Sequence, residues 1–235
     1  MLFYIDIKDI ISKTDHTILS PTASKTDIEK ACYDAIHLGA ASVCIPPNRV
    51  AEAVEYAAGR IPICTVAGFP LGYSEPGAKA YEARHAIDAG ADEIDMVINT
   101  GLVKDGRFGD VLEEIKLVKE ACRGRVLKVI IECCLLTTDE KLRMCEIVSL
   151  SGADFIKTST GFSGGGATRE DVILLARNCA PHVKIKAAGG IRTFEDAADF
   201  IRLGASRIGS SALLRLAAEN KDGYFNSAGN EPSSY

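Results

Sequence analysis

Short runs of β-branched and other apolar residues alternate with longer stretches of helical periodicity along the chain. The strand-like runs are Ser42–Ile45, Ile63–Ala67, Glu93–Ile98, Val126–Ile131, Phe155–Thr158, Val183–Ala187 and Arg207–Gly209, with a more polar eighth near Lys13–Ile18. The clearest helical stretch is Phe108–Cys122. Val111, Leu112, Ile115, Val118 and Cys122 recur at the spacing of one helix face, and Glu113, Glu114, Lys116, Lys119 and Glu120 fall on the other. Strand–helix alternation with short connections predicts a parallel sheet, because parallel neighbours need a crossover and a helix supplies it.

A finer repeat supports this. Gly-Ala recurs at Gly39-Ala40, Gly90-Ala91, Gly152-Ala153 and Gly204-Ala205, each time after a helical stretch and just before a strand. Glycine there can close a helix in the left-handed conformation. The four copies precede the second, fourth, sixth and eighth strands, so every second helix-to-strand turn uses the same device. Eight strand–helix units of roughly 25–30 residues predict one (β/α)8 TIM barrel. It is expected over residues 1–219, with the polar residues 220–235 as a mobile tail. An open, doubly wound eight-stranded sheet is the alternative. No G-x-G-x-x-G follows the first strand, which weakens a dinucleotide-binding reading.

Strands buried on both faces should be almost wholly apolar. Four in a row here are not. Asp95 lies in the fourth, Lys128 in the fifth (which ends in Glu132), Lys157 in the sixth, and Lys184 and Lys186 in the seventh. Buried charges are costly unless paired, so neighbouring strands should bring these groups together. A structural ion-pair network is one reading of them. The functional reading follows from two lysines pointing inward. An amine attacks a carbonyl only when unprotonated, and a second ammonium beside it favours that state. A Schiff base then withdraws electrons from the adjacent carbon, which permits carbon–carbon cleavage without a metal or other cofactor, while a carboxylate such as Asp95 moves protons, through a water if need be. Lys186 lies nearer the C-terminal strand ends, where barrel active sites are built, and Lys184 is expected at the opposite, solvent-facing rim. The histidines His16, His37, His85 and His182 lack zinc-site spacing and read as surface or packing residues.

Glycine-rich turns follow the last three strands: Thr158-Ser159-Thr160-Gly161-Phe162-Ser163-Gly164-Gly165-Gly166, then Ala188-Gly189-Gly190-Ile191-Arg192-Thr193, then Gly209-Ser210-Ser211. Glycine lets backbone N–H groups approach an anion, and the turns after strands seven and eight are a frequent phosphate site of such barrels. Arg192 either assists the phosphate or pairs on the surface.

Composition narrows the field from outside. An apolar fraction of 47% excludes a disordered chain, and a net charge of −5 argues against general nucleic-acid binding. No apolar run approaches a membrane span, and the first residues lack the basic start of an export signal. Eight scattered cysteines without a C-x-x-C pair read as free thiols, which points to a cytoplasmic protein.

The segments Phe155–Phe162, Lys186–Thr193, Glu93–Asn99, Asp15-His16-Thr17, Val43-Cys44-Ile45 and Lys128–Glu132 together resemble the deoxyribose-phosphate aldolases, over about Asp15 to Leu214. The resemblance implies a metal-free class I aldolase that reversibly cleaves 2-deoxy-D-ribose 5-phosphate to D-glyceraldehyde 3-phosphate and acetaldehyde. It implies Lys157 as the Schiff-base residue, Lys186 as its tuning partner and part of the proton relay, and Asp95 as proton donor and acceptor with a water. Asp15, Thr17 and Lys128 would support them. Thr160, Gly161, Gly189, Gly190, Gly209, Ser210 and Ser211 would hold the phosphate or sugar chain, and Cys44 would line the pocket without being the nucleophile. Three positions depart from the pattern: Phe162 stands where certain relatives carry lysine, Ala212 where a second serine is common, and Cys133-Cys134 where a small polar residue is usual. Some relatives end in a tyrosine that reaches the active site, which makes Tyr235 a candidate against an unstructured tail. A homo-oligomer, dimer or tetramer, is the expected assembly. A transaldolase-like or ketose-phosphate aldolase and a non-catalytic sugar-phosphate-binding barrel remain the alternatives.

Overall fold

An open parallel sheet leaves unpaired backbone groups at its two edge strands, and this chain has neither edge because the sheet closes on itself. In the computed structural model, which describes residues 6–219, eight strands pair in sequence order and the last returns to the first. They are β1 (Thr14–Thr17), β2 (Ser42–Cys44), β3 (Ile63–Ala67), β4 (Glu93–Val97), β5 (Val126–Ile130), β6 (Phe155–Lys157), β7 (Lys184–Ala188) and β8 (Arg207–Ser210). The helices are α1 (Ile7–Ile11), α2 (Lys25–Leu38), α3 (Val50–Ala57), α4 (Pro76–Asp88), α5 (Thr100–Lys104), α6 (Phe108–Ala121), α7 (Thr138–Leu150), α8 (Arg169–Asn178), α9 (Phe194–Arg202) and α10 (Leu213–Glu219). This is a single (β/α)8 barrel, with α1 added before β1 and α5 before α6. The tail 220–235, and Tyr235 with it, lies outside the described residues.

Local sequence sets the element ends. All four glycines of the Gly-Ala repeat have positive φ (74°, 102°, 79° and 116° at Gly39, Gly90, Gly152 and Gly204). After three of them the alanine N–H returns to the carbonyl five residues back, from Ala40 to Ala35, Ala91 to Ala86 and Ala205 to Phe200, which satisfies a helix-end acceptor. Ser24, Thr137, Thr168 and Thr193 cap the N-termini of α2, α7, α8 and α9 through their hydroxyls, and the first two form full capping boxes with Asp27 and Glu140. Each such cap stabilises its helix by about 1 kcal/mol.

Strand parity sorts the core from the site. Outward residues such as Val43, Ile63, Ile94, Met96, Leu127, Val129, Ile156, Ile185 and Ile208 pack on helix residues including Ile28, Ala35, Ala53, Ala83, Val111, Ile115, Val148, Leu175 and Ala197. The alternate residues face the barrel interior, and there the charges collect. Glu114 departs from the sequence reading. It was expected on the polar face of α6 but is buried, because the equally buried Lys79 of α4 donates to it at 2.6 Å. Among the described residues no helix is long and apolar enough to cross a membrane.

Candidate active site

Alternation along β4 through β7 turns Asp95, Lys128, Lys157 and Lys186 to one interior. Register makes Asp95 a neighbour of Lys128, and Lys157 a neighbour of Lys186. At the centre, Asp95 Oδ1 accepts from Lys128 Nζ at 2.7 Å, and Oδ2 accepts from both Lys157 Nζ and Lys186 Nζ, each at 2.7 Å. The two amines are therefore no more than twice 2.7 Å apart. Lys186 also donates to Asp15 Oδ2 at 2.5 Å. Below, Arg207 Nη1 reaches Asp15 at 2.5 Å and Glu93 at 3.2 Å, and Lys128 reaches Glu93 at 2.6 Å. Gly209 makes room for this arrangement: a Cβ there would stand 2.9 Å from Ala188 Cβ and 3.2 Å from Lys186 Cε.

The set joins four cations to three carboxylates, so one positive charge is left over. Burial alone would push the Asp95 carboxyl up, but Lys128, Lys157 and Lys186 hold it well below its ordinary range. Asp15 behaves alike: burial raises it, and Lys186, Lys128 and Arg207 more than reverse that. Burial works to lower the Lys186 ammonium, yet Asp15 and Asp95 keep it above the usual lysine range. Lys128 is likewise held well above that range by Asp95 and its other anionic neighbours, against the same burial.

Above this cluster opens a cavity of about 600 Å³. Its wall contains Thr17, Lys157, Thr160, Gly161, Gly189, Gly190, Arg192, Gly209, Ser210 and Ser211, all singled out in the sequence. Lys157 is 3% exposed and is the member of the charged set that reaches the cavity, while Asp15, Asp95, Lys128 and Lys186 lie beneath with no exposed surface. Ile18, Leu19, Pro21, Phe162 and Ile191 supply an apolar side. Phe162 packs edge-on against Phe69 at 5.2 Å between ring centres.

Several residues stand differently from the sequence reading. Cys44 was expected in the pocket wall; it is fully buried and packs with Cys64, Val66, Leu19 and Phe69. The Ser210 hydroxyl donates to Ile191 O and accepts from the N–H groups of Ala212 and Leu213, so it is already engaged in shaping its turn. Glu93 and Arg207 were missed as members of the charged set. The signal for Glu93 was its i, i+2 parity with Asp95, and for Arg207 its place in β8 beside Lys186. Lys184 is exposed at the lower rim, as its earlier position implied. His37, His85 and His182 are exposed, whereas His16 is buried on the outer side of β1, with its Nδ1 lacking a partner among the described residues.

Two sets of possible metal donors lie close together: Cys44, Cys64 and Asp95, and Asp15, Cys64 and Glu93. Their carboxylates are already matched by Lys128, Lys157, Lys186 and Arg207. A divalent cation would add charge to a site that already carries a surplus, so the donor sets do not fit a metal.

The model of the DeoC/LacD family aldolases matches residues 9–216. A deoxyribose-phosphate aldolase of Streptococcus agalactiae is 51% identical over 217 residues, 92% of this chain and 97% of the relative. The deoxyribose-phosphate aldolase of Clostridioides difficile is 50% identical over 216 residues, 92% of this chain and 98% of its own length. Among solved structures, a tetrameric deoxyribose phosphate aldolase from Aeropyrum pernix superposes with a TM-score of 0.85 at 31% identity, over 92% of each chain. With its closed barrel and lysine-centred interior, the chain belongs to the DeoC/LacD family of aldolases.

Proposed function

We propose that this aldolase reversibly cleaves 2-deoxy-D-ribose 5-phosphate into D-glyceraldehyde 3-phosphate and acetaldehyde through a Schiff base on Lys157, in the catabolism of deoxyribose phosphate. The observation that carries the reading is the placement of Lys157. It is the one lysine of the charged set, among the described residues, that faces the cavity, and its amine sits 2.7 Å from a carboxylate shared with Lys186. Relatives near 50% identity that bear the deoxyribose-phosphate aldolase name support the choice of substrate.

The unprotonated amine of Lys157 adds to C1 of the open-chain sugar, and water leaves to give an iminium ion. A deprotonated Lys157 leaves three cations facing three carboxylates, so the buried set is balanced in the reactive form. The iminium withdraws electrons from C2. Removal of the C3 hydroxyl proton then lets the C2–C3 bond break; glyceraldehyde 3-phosphate leaves, and its former bonding pair remains in an enamine on Lys157. A proton returned to C2 regenerates the iminium, and water releases acetaldehyde. Asp95 relays these protons through a water, which suits a carboxylate that its lysines hold ionised. Lys186 keeps Asp95 Oδ2 beside Lys157, while Lys128 and Asp15 hold Asp95 and Lys186 in place. The phosphate is held at the other end by backbone N–H groups of the Gly189–Arg192 turn and of Ser211, with the Arg192 side chain at the rim. Thr17, Thr160, Gly161, Gly209 and the Ser210 backbone shape the space between.

Eight free thiols suit the reducing cytoplasm as the site of action. Self-association as a dimer or tetramer is the proposed assembly, on the strength of the tetrameric relative. Incubation with deoxyribose 5-phosphate, read by NMR for acetaldehyde and glyceraldehyde 3-phosphate, tests the activity. Appearance of both supports it. Cleavage of a ketose phosphate instead, or binding of deoxyribose 5-phosphate without turnover, overturns it.

A further inference from the structure

We infer that Glu132 is the positioning residue for the phosphate end of the cavity, acting through Thr160 rather than on the reacting atoms; this rests on the aldolase reading above. Among the described residues three non-glycines have positive φ: Ala58, Arg123 and Glu132. The first two close helices at the surface, Ala58 as the C-cap of α3 and Arg123 just after α6. Glu132 does not. It follows β5 at the mouth of the barrel with φ 50° and ψ 67°, and is only 3% exposed. A side chain with a Cβ held in this region marks a conformation imposed by its surroundings.

The surroundings are the turn after β6. Glu132 Oε2 accepts from Thr160 Oγ1 at 2.5 Å and from Thr160 N at 3.2 Å. The Thr160 hydroxyl, its proton committed to the carboxylate, accepts from Phe162 N at 3.0 Å. One carboxylate thus fixes Thr160, Gly161 and Phe162, three consecutive residues of the cavity wall. Gly161 stands beside the neighbouring turn, where a Cβ on it would make ordinary van der Waals contact with Gly189 Cα at 3.7 Å. Glu132 is not itself in that wall. It faces a side hollow of about 80 Å³ that shares only Thr160 and Phe162 with the main cavity. No ion pair among the described residues includes Glu132; its carboxylate is engaged by Thr160 at both oxygens and, at Oε1, by the Cys134 thiol at 3.9 Å.

The turn lies beyond Lys157 on the side of the glycine turns, so its displacement should impair capture of the phosphate before it impairs bond cleavage. The experiment is steady-state retro-aldol kinetics on wild type, Glu132→Ala, Glu132→Gln and Glu132→Gly, with deoxyribose 5-phosphate and with unphosphorylated deoxyribose. Glu132→Ala should raise KM for the phosphorylated sugar about tenfold or more, the loss of a charge-assisted hydrogen bond, with kcat within about threefold. KM for deoxyribose should move far less. Glu132→Gln keeps an acceptor at the Oε2 position for both Thr160 bonds and should stay within about threefold of wild type. Glu132→Gly relaxes the backbone while removing the carboxylate; it should melt no lower than Glu132→Ala yet keep the KM defect. Recovery of wild-type KM in Glu132→Gly would show that only the backbone matters and overturn the inference. An equal KM rise for both sugars, or a fall in kcat at constant KM, also overturns it. Wild-type protein that fails to cleave deoxyribose 5-phosphate overturns the functional reading and this inference with it.

Discussion

Replacing Asp95 by asparagine should damage stability as well as activity, and the structure sets the scale. Asp95 is fully buried and three ammonium groups contact it at 2.7 Å. Oδ1 faces Lys128, and Oδ2 faces Lys157 and Lys186. Whichever way an asparagine amide turns, its NH2 group meets at least one of these donors. The surplus of buried cations over carboxylates rises from one to two. Removing one partner of a buried pair costs about 3–5 kcal/mol. In a chain of this size that lowers the melting temperature by roughly 6–20 °C, since each kcal/mol is worth about 2–4 °C. The assay is thermal and urea unfolding at pH 7 on wild type, Asp95→Asn, Lys128→Met and the double variant. Removing Lys128 together with the carboxylate returns the surplus to one, so the double variant should recover at least half of the Asp95→Asn loss. Asp95→Asn melting within about 2 °C of wild type, or losses that simply add in the double variant, would refute the charge-balance reasoning.

Three further outcomes follow. Burial, with Lys30 adding to it against Asp34 and a Ser210 backbone contact, lowers the His16 imidazole to about 4. The unfolded chain therefore takes up a proton that the folded one refuses, and stability should fall by up to about 3 kcal/mol as pH drops from 6.5 to 4. The contributions of Asp15 and Asp95, both lowered, should persist through that window and be lost only below about 3.8. Melting curves of wild type and His16→Asn from pH 7 to 4 check this, and parallel pH profiles would contradict it. Lys157→Leu should lose more than about a thousandfold in turnover yet melt at or above wild type, because its cluster is charge-balanced; a large drop in melting temperature would count against the count of charges. Lys79→Met should cost about 3–5 kcal/mol by stranding the buried Glu114 carboxylate, and Lys79→Met with Glu114→Leu should recover most of it; urea unfolding of both variants decides.

The alternation of strand and helix was legible because parallel strands buried on both faces need apolar runs, and most of these eight have one. β1 was faint because its residues, Thr14-Asp15-His16-Thr17, are polar, yet Asp15 turns into the charged interior and His16 against the helices. The catalytic charges stood out for the same reason that the strands did: Asp95, Lys128, Lys157 and Lys186 break apolar runs. Glu93 and Arg207 did not stand out. Each opens its strand, where a charge usually reaches solvent, as Lys184 does. Only the barrel's register shows that these two meet below Asp15. Lys79 and Glu114 were hidden by a different rule. A lysine or glutamate in a helix ordinarily lies on the wet face, and nothing in either helix's periodicity marks a residue that a neighbouring helix will bury. Cys44 illustrates the limit of strand parity: it faces inward, but its depth depends on Leu19 and Phe69, which come from loops.

The central claim is that Lys157, among all the lysines, carries the covalent intermediate. Incubation with acetaldehyde and sodium borohydride, followed by peptide mass spectrometry, tests it most directly. Reduction of the Schiff base should leave a single ethyl group on Lys157, and none on Lys186 or Lys128, whose amines are buried and paired with carboxylates. An ethyl group mapped to Lys186, or no adduct at all, would contradict the account.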